Sequence, residues 1–173
     1  MRSPLRGRMA RLSAVLLLAL GLIACGGQDE GASRIPPPPS QIVYNASAYD
    51  DVADATMKHY LQVADALAHD RFEEALSAAT KLAGATAGDL QPLAQAAAST
   101  QDITGLRIAF KPLSNAVQAL NLPEGMAVAY CPMAFDYDGG HWVQRDGPIM
   151  NPYFGAAMLH CGVFEDEEDT PGT

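Results

Sequence analysis

Cys131 and Met133 flank Pro132 in the stretch YCPMA, and Met158, His160 and Cys161 gather in NPYFGAAMLHCG. Thiolate and thioether sulfurs are soft donors that select Cu(I), and Ag(I) should behave alike; imidazole is compatible with both. In an extended segment Cys-x-Met aims both sulfurs at one face, because strand side chains alternate with a period of two. Pro132 cannot donate a ladder hydrogen bond, so its segment is expected at a sheet edge or in a loop. Met158 and Cys161 are three residues apart and share a face if their stretch is helical. The expected metal ligands are therefore Cys131, Met133, Met158 and Cys161, with the imidazoles of His141 and His160 nearby in sequence.

Two other chemistries compete for the same residues, and compartment bears on the choice. The N-terminus carries Arg2, Arg6, Arg8 and Arg11 with no acidic residue, followed by the apolar run LSAVLLLALGLIA. A basic start and a short apolar core make an export signal, too short to cross a hydrocarbon layer of about 30 Å. Leu22 to Cys25, LIAC, resembles the bacterial lipobox, which implies cleavage before Cys25 and acylation of that cysteine. Gly26, where inner-membrane lipoproteins commonly carry aspartate, implies an outer-membrane anchor with the remaining chain facing the periplasm. Acylation leaves Cys131 and Cys161 as the two thiols. In an oxidising compartment such a pair reads first as a disulfide, stabilising by about 2–4 kcal/mol. Met133, Met158 and Trp142 would then be core, methionine filling gaps. A thiol redox or enzymatic role at Cys131 is the third reading; a Cys131–His160 nucleophile pair is conceivable, but no residue is evident to orient the histidine.

Removing the four arginines before Cys25 leaves seven basic residues against twenty acidic ones, a formal charge of −13. That sign argues against nucleic-acid binding, which draws on Lys and Arg. The segments follow from composition. Residues 1–24 are the signal, and 25–46 hold the acylated cysteine and a linker with four consecutive prolines. Residues 47–164 form one globular domain, and 165–173 an acidic tail.

Within the domain, residues 47–122 read as helices. Tyr49, Val52, Thr56, Tyr60, Val63 and Leu67 recur at three- and four-residue steps, with Ser47 as the expected N-cap. Asp70 is expected to cap a second helix carrying Phe72, Ala75, Ala79 and Leu82. A third starts near Asp89. A fourth carries Ile103, Leu106, Phe110, Leu113, Val117 and Leu120, with Pro112 expected to kink it. His59 and His69 sit on these helices as surface or packing residues. Residues 123–164 change texture: Met126, Val128 and Tyr130 alternate, DGG signals a turn, and HWVQR offers a second strand. Asn151-Pro152 reads as a turn and Gly155 as a position of close approach or positive φ. The expected fold is α+β, mainly α: a small antiparallel helical bundle with a β-rich C-terminal lobe.

YCPMA, Gly140 with Trp142, and NPYFGAAMLHCG together resemble the bacterial family called domain of unknown function 3347. HYLQVADALAHDRFEEA and RIAFKPLS, with Arg107, Phe110, Leu113 and Ser114, resemble its helical half, so the likeness spans roughly residues 50–164. Members are exported and accompany heavy-metal efflux systems, some fused to the periplasmic adaptor. The resemblance implies a copper- or silver-related role with an efflux adaptor as partner; no enzymatic activity is established for the family, and the absence of a catalytic constellation points away from an enzyme. Cys131, Pro132, Met133, Trp142, Asn151, Pro152, Tyr153, Gly155, Met158, Cys161 and Gly162 fit its motif. His141 and His160 occupy positions variable in it, which makes them optional ligands. Cys-Pro-Met also resembles the core of short heavy-metal-binding modules, with Ala134 standing where they carry histidine. The leading expectation is a periplasm-facing lipoprotein that binds Cu(I) or Ag(I). The disulfide-linked interaction protein and a thiol redox or enzymatic role at Cys131 remain alternatives, and oligomeric state is open.

Overall fold

The computed structural model describes residues 43–165. The signal segment, Cys25, nearly all of the linker and the acidic tail beyond Glu165 lie outside the described residues. Four helices come first: α1 (Ala55–Ala68), α2 (Phe72–Ala85), α3 (Leu90–Ala98) and α4 (Ile103–Gln118). Three strands follow, β1 (Met126–Cys131), β2 (Gly140–Arg145) and β3 (Val163–Phe164), in one antiparallel sheet of order β2-β1-β3. The fold is α+β and mainly α. No helix among the described residues is long and apolar enough to cross a membrane.

The helices form where an apolar stripe meets a cap. α1 begins later than the stripe alone suggests: Asp54, not Ser47, caps it, accepting the Met57 N–H at 2.7 Å. Ser47 donates its own N–H to Asn45 Oδ1 at 3.0 Å, inside a turn that occupies residues 46–51. α1 buries Tyr60, Leu61, Val63 and Leu67, and α2 meets it with Ala75, Ala78, Ala79 and Leu82. Small side chains on α2 let the two backbones approach. α4 is capped by Asp102, which accepts the Gly105 N–H at 2.7 Å. It buries Leu106, Phe110, Leu113 and Val117 completely. Leu120, expected to extend that stripe, lies past the helix end and is 44% exposed. Pro112 sits inside α4, whose backbone stays helical on both sides of it. The acceptor orphaned by its missing N–H belongs to Ile108, on the solvent side at 60% exposure.

The sheet packs through β2 onto α4 and α1. Tyr60 joins the layers: its buried hydroxyl accepts the Val143 N–H at 2.9 Å and shares a hydrogen bond with Ser114 Oγ at 2.5 Å. Burial pushes its phenol pKa up. Tyr60 stacks on Phe110, which touches Tyr153, which in turn meets Trp142 edge-on. These rings form a continuous aromatic seam between helices and sheet, each pair contributing about 0.5–1.5 kcal/mol beyond area burial.

β1 is the central strand, and Pro132 lies in the turn that follows it, the loop placement expected of its segment. The proline falls one residue after the strand ends, so no ladder bond is asked of it. The partner that makes β1 central is β3, whose two residues carry too little pattern to announce a strand.

Candidate functional site

Alternation along β1 sends Cys131 to the same buried face as Ala129, and its side chain is fully inaccessible. Opposite it in the ladder stands Gly140. A Cβ on Gly140 would come within 2.6 Å of the Tyr153 ring, so the glycine makes room for that ring beside the cysteine.

Met133 follows in the hairpin turn, not in the strand, so the extended-chain argument for pairing it with Cys131 does not hold. The turn contains the short segment Ala134–Tyr137, where Phe135 (φ 53°), Asp136 (φ 55°) and Tyr137 (φ 72°) are all left-handed. Such a conformation costs about 1–2 kcal/mol per non-glycine residue. Gly139 donates to the Ala134 carbonyl at 2.9 Å. Lys111 pairs with Asp138 and lies 4.8 Å from the Phe135 ring centroid. These contacts hold the turn and leave Met133 39% exposed at the end of β1.

Cys161 reaches the site on a loop whose organiser is Asn151, fully buried. Its Nδ2 donates to the Cys161 carbonyl at 2.6 Å. Its Oδ1 accepts the N–H groups of Tyr153 at 2.8 Å and Phe154 at 3.2 Å, and its own N–H donates to the Leu159 carbonyl at 2.8 Å. Gly162 then passes where a Cβ would lie 2.8 Å from Trp142 and 3.0 Å from the Tyr130 carbonyl.

The resulting geometry is a chain of three sulfurs. Cys131 Sγ and Cys161 Sγ are 3.3 Å apart, both free thiols, and Cys161 Sγ is 3.8 Å from Met133 Sδ. Burial first, then the hydrogen bond and charge repulsion from Cys131, push the Cys161 thiol pKa up. Among the described residues, no three His, Cys, Asp or Glu side chains converge as a metal site. The contacts among the described residues thus bring together two thiols and one thioether as the candidate ligand set.

Two expected members, His141 and His160, make other contacts, and Met158 lacks the helical phase expected of it. The stretch around Met158 is a single 3-10 turn, Gly155–Ala157, that ends at Met158 with φ −147°, so the helical spacing expected for Met158 and Cys161 is absent. Met158 supplies its carbonyl to the Cys161 N–H at 3.0 Å. His141 pairs with Tyr130 in the ladder, one residue out of phase with Cys131, and thus faces the other side of the sheet. There it stacks on Tyr130 at 4.4 Å and its Nε2 meets Glu165 at 3.0 Å. His160 directs Nδ1 to the Ile149 carbonyl at 2.7 Å.

The remaining motif residues are framework. Trp142 is buried and donates from Nε1 to Gln144 Oε1 at 2.9 Å. Tyr153 donates its hydroxyl to the His141 carbonyl, and burial raises its pKa. Pro152 offers its carbonyl to Arg107 Nε at 2.9 Å.

Sequence reasoning missed the partners of that last contact. Asp70 was expected to cap α2, but it adopts φ 57° and points its carboxylate away from that helix. It pairs with Arg107 at 2.6 Å and accepts the Ala156 N–H at 2.9 Å, pinning the Cys161 loop to the bundle. Arg107 also donates to the Leu67 carbonyl at 2.9 Å. Gln144 was missed as well. Its buried amide accepts from Trp142 and the Met150 N–H and donates to the Arg145 and Pro148 carbonyls. His59 bonds within α1 to Gln62, and His69, at the C-terminal cap of α1, bonds to the Asp65 carbonyl.

Comparison with family models, curated proteins and solved structures gave no match to this chain.

Proposed function

We propose that the chain is a periplasm-facing, lipid-anchored protein that holds a soft monovalent ion, Cu(I) or Ag(I), for efflux or sequestration. The observation that carries this reading is the three-sulfur contact of Cys131, Cys161 and Met133. Two thiolates and a thioether form a soft donor set, and the chemistry they supply is coordination of a soft cation rather than of Mg²⁺ or Ca²⁺. Exposure of Met133 supports it further. A methionine used for packing is buried, whereas this one lies at the surface with its sulfur against a thiol. An efflux adaptor would meet the site on this side, where Met133 and the hairpin turn are accessible.

Met133→Ala tests the ligand set. Cu(I) affinity of the reduced protein, measured by competition with a chromophoric chelator, should fall by about tenfold while the urea midpoint stays within error. An unchanged affinity removes the thioether from the site.

A second reading, an interaction protein with a Cys131–Cys161 disulfide and no metal, is favoured by the same thiol proximity. Such a bond would tie the end of the central strand to the segment before β3, stabilising by about 3 kcal/mol. Of the third reading, a solvent-facing nucleophile at Cys131 paired with His160 gains no support, because that sulfur is sealed from solvent and His160 Nδ1 is directed to the Ile149 carbonyl.

A further inference from the structure

Cys131 and Cys161 lie in contact yet meet solvent very differently. Cys131 has no accessible surface, enclosed by the end of β1, the Tyr153 ring beside Gly140 and the Cys161 loop. Cys161 is partly exposed on its loop, with the Met133 thioether as its outer neighbour. A disulfide-bearing oxidant approaching from solvent can therefore reach only one of the two sulfurs.

From this asymmetry we infer that the site carries an ordered redox gate, with Cys161 as the entry thiol and Cys131 as the resolving thiol. The inference rests on the soft-ion reading only for its consequence, not for its chemistry. In the first step the Cys161 thiolate attacks one sulfur of an external disulfide, R–S–S–R. A Cys161–S–S–R bond forms and R–S⁻ leaves, taking up the proton released by Cys161. In the second step the Cys131 thiolate attacks Cys161 Sγ, 3.3 Å away in the reduced state, and expels the second R–S⁻, which is protonated by the proton lost from Cys131. The two protein thiols lose two electrons and two protons, and the external disulfide is reduced to two thiols. Both thiolate donors are consumed, so the oxidised protein has lost two of its three soft ligands. The gate thus confines uptake of a soft ion to the reduced state.

The two cysteines report separately, since Arg145 lies between them and no Lys or Arg follows it, placing Cys161 alone on the C-terminal tryptic peptide 146–173. The reduced mature chain, in detergent, is exposed to oxidised glutathione and followed by intact mass and peptide mapping. Wild type should lose two hydrogens with no lasting glutathione on either peptide. Cys131→Ser should retain one glutathione, on peptide 146–173. In Cys161→Ser, glutathione should reach Cys131 slower than it reaches Cys161 in Cys131→Ser, by roughly tenfold or more. A brief iodoacetamide pulse on reduced wild type, which needs no variant, should label Cys161 ahead of Cys131 by a similar factor. Equal labelling of the two thiols, faster labelling of Cys131, or wild type retaining two glutathiones would overturn the order. Cu(I) titration of the fully reduced chain is read independently, so loss of metal binding with the exchange order intact would remove the soft-ion function and leave the gate.

Discussion

Cys161→Ser is expected to weaken Cu(I) binding by about 100-fold or more, since even residues that merely orient a ligand cost 10–100-fold when changed. Serine keeps the size of the side chain but replaces a soft donor with a hard oxygen. The loop should remain in place, because Asn151 grips the backbone carbonyl of residue 161 and not its side chain. Partial exposure of this position keeps the stability change small, about 1 kcal/mol or less. Cys131→Ser is a less clean probe, since it would bury a hydroxyl at a fully inaccessible position. Met158→Ala provides the contrast: Met158 contributes its carbonyl to the Cys161 turn, so its truncation should leave Cu(I) affinity unchanged. A chelator competition series across these variants checks both, and an equal loss from Met158→Ala would mean that the ligand set is wrongly drawn.

Asn151→Ala has the largest expected effect on stability. One buried amide satisfies the Cys161 carbonyl and the N–H groups of Tyr153 and Phe154. Truncation leaves these groups without their partner, and each unsatisfied buried group costs about 1–3 kcal/mol. A destabilisation of about 4 kcal/mol is expected, a large share of the roughly 5–15 kcal/mol that holds a domain together. Urea unfolding of the reduced protein measures it. Because Asn151 also sets where Cys161 sits, Cu(I) affinity should fall in the same variant even under conditions where it is folded. A loss below about 1 kcal/mol would show that the loop is held mainly from elsewhere, the Arg107–Asp70 pair being the alternative anchor.

How much of this arrangement was legible beforehand depends on the distance over which each contact acts. Helices α1, α2 and α4 are visible because their apolar steps lie within one element, and Leu106, Phe110, Leu113 and Val117 are core. β1 and the turn after it were visible through period-two alternation and the glycine pair. The association of Cys131 with Cys161 was readable as two cysteines in one motif. What failed was local geometry between motif residues. Three-residue spacing puts Met158 and Cys161 on one face only in a helix, and a 3-10 turn closing at Met158 breaks that phase. Strand alternation puts Met133 beside Cys131, whereas Met133 lies in the turn with φ −88° and ψ −12°, and its sulfur comes to 3.8 Å from Cys161 Sγ. Asp70 reads as a helix cap from its local neighbours alone. Its real partners, Arg107 and Ala156, are 37 and 86 residues away, beyond the reach of any periodicity. Gln144 presents the same difficulty, since a glutamine in a strand pattern does not declare that its amide is buried and fully bonded.

The central claim is that the reduced chain binds one soft ion through sulfur alone. Copper-edge X-ray absorption on the reduced, Cu(I)-loaded chain tests it most directly. The account predicts one copper per chain and an inner coordination sphere made up of sulfur, with no nitrogen contribution from His141 or His160. Failure to retain stoichiometric Cu(I) under reducing conditions, or a sphere dominated by nitrogen or oxygen, would contradict it.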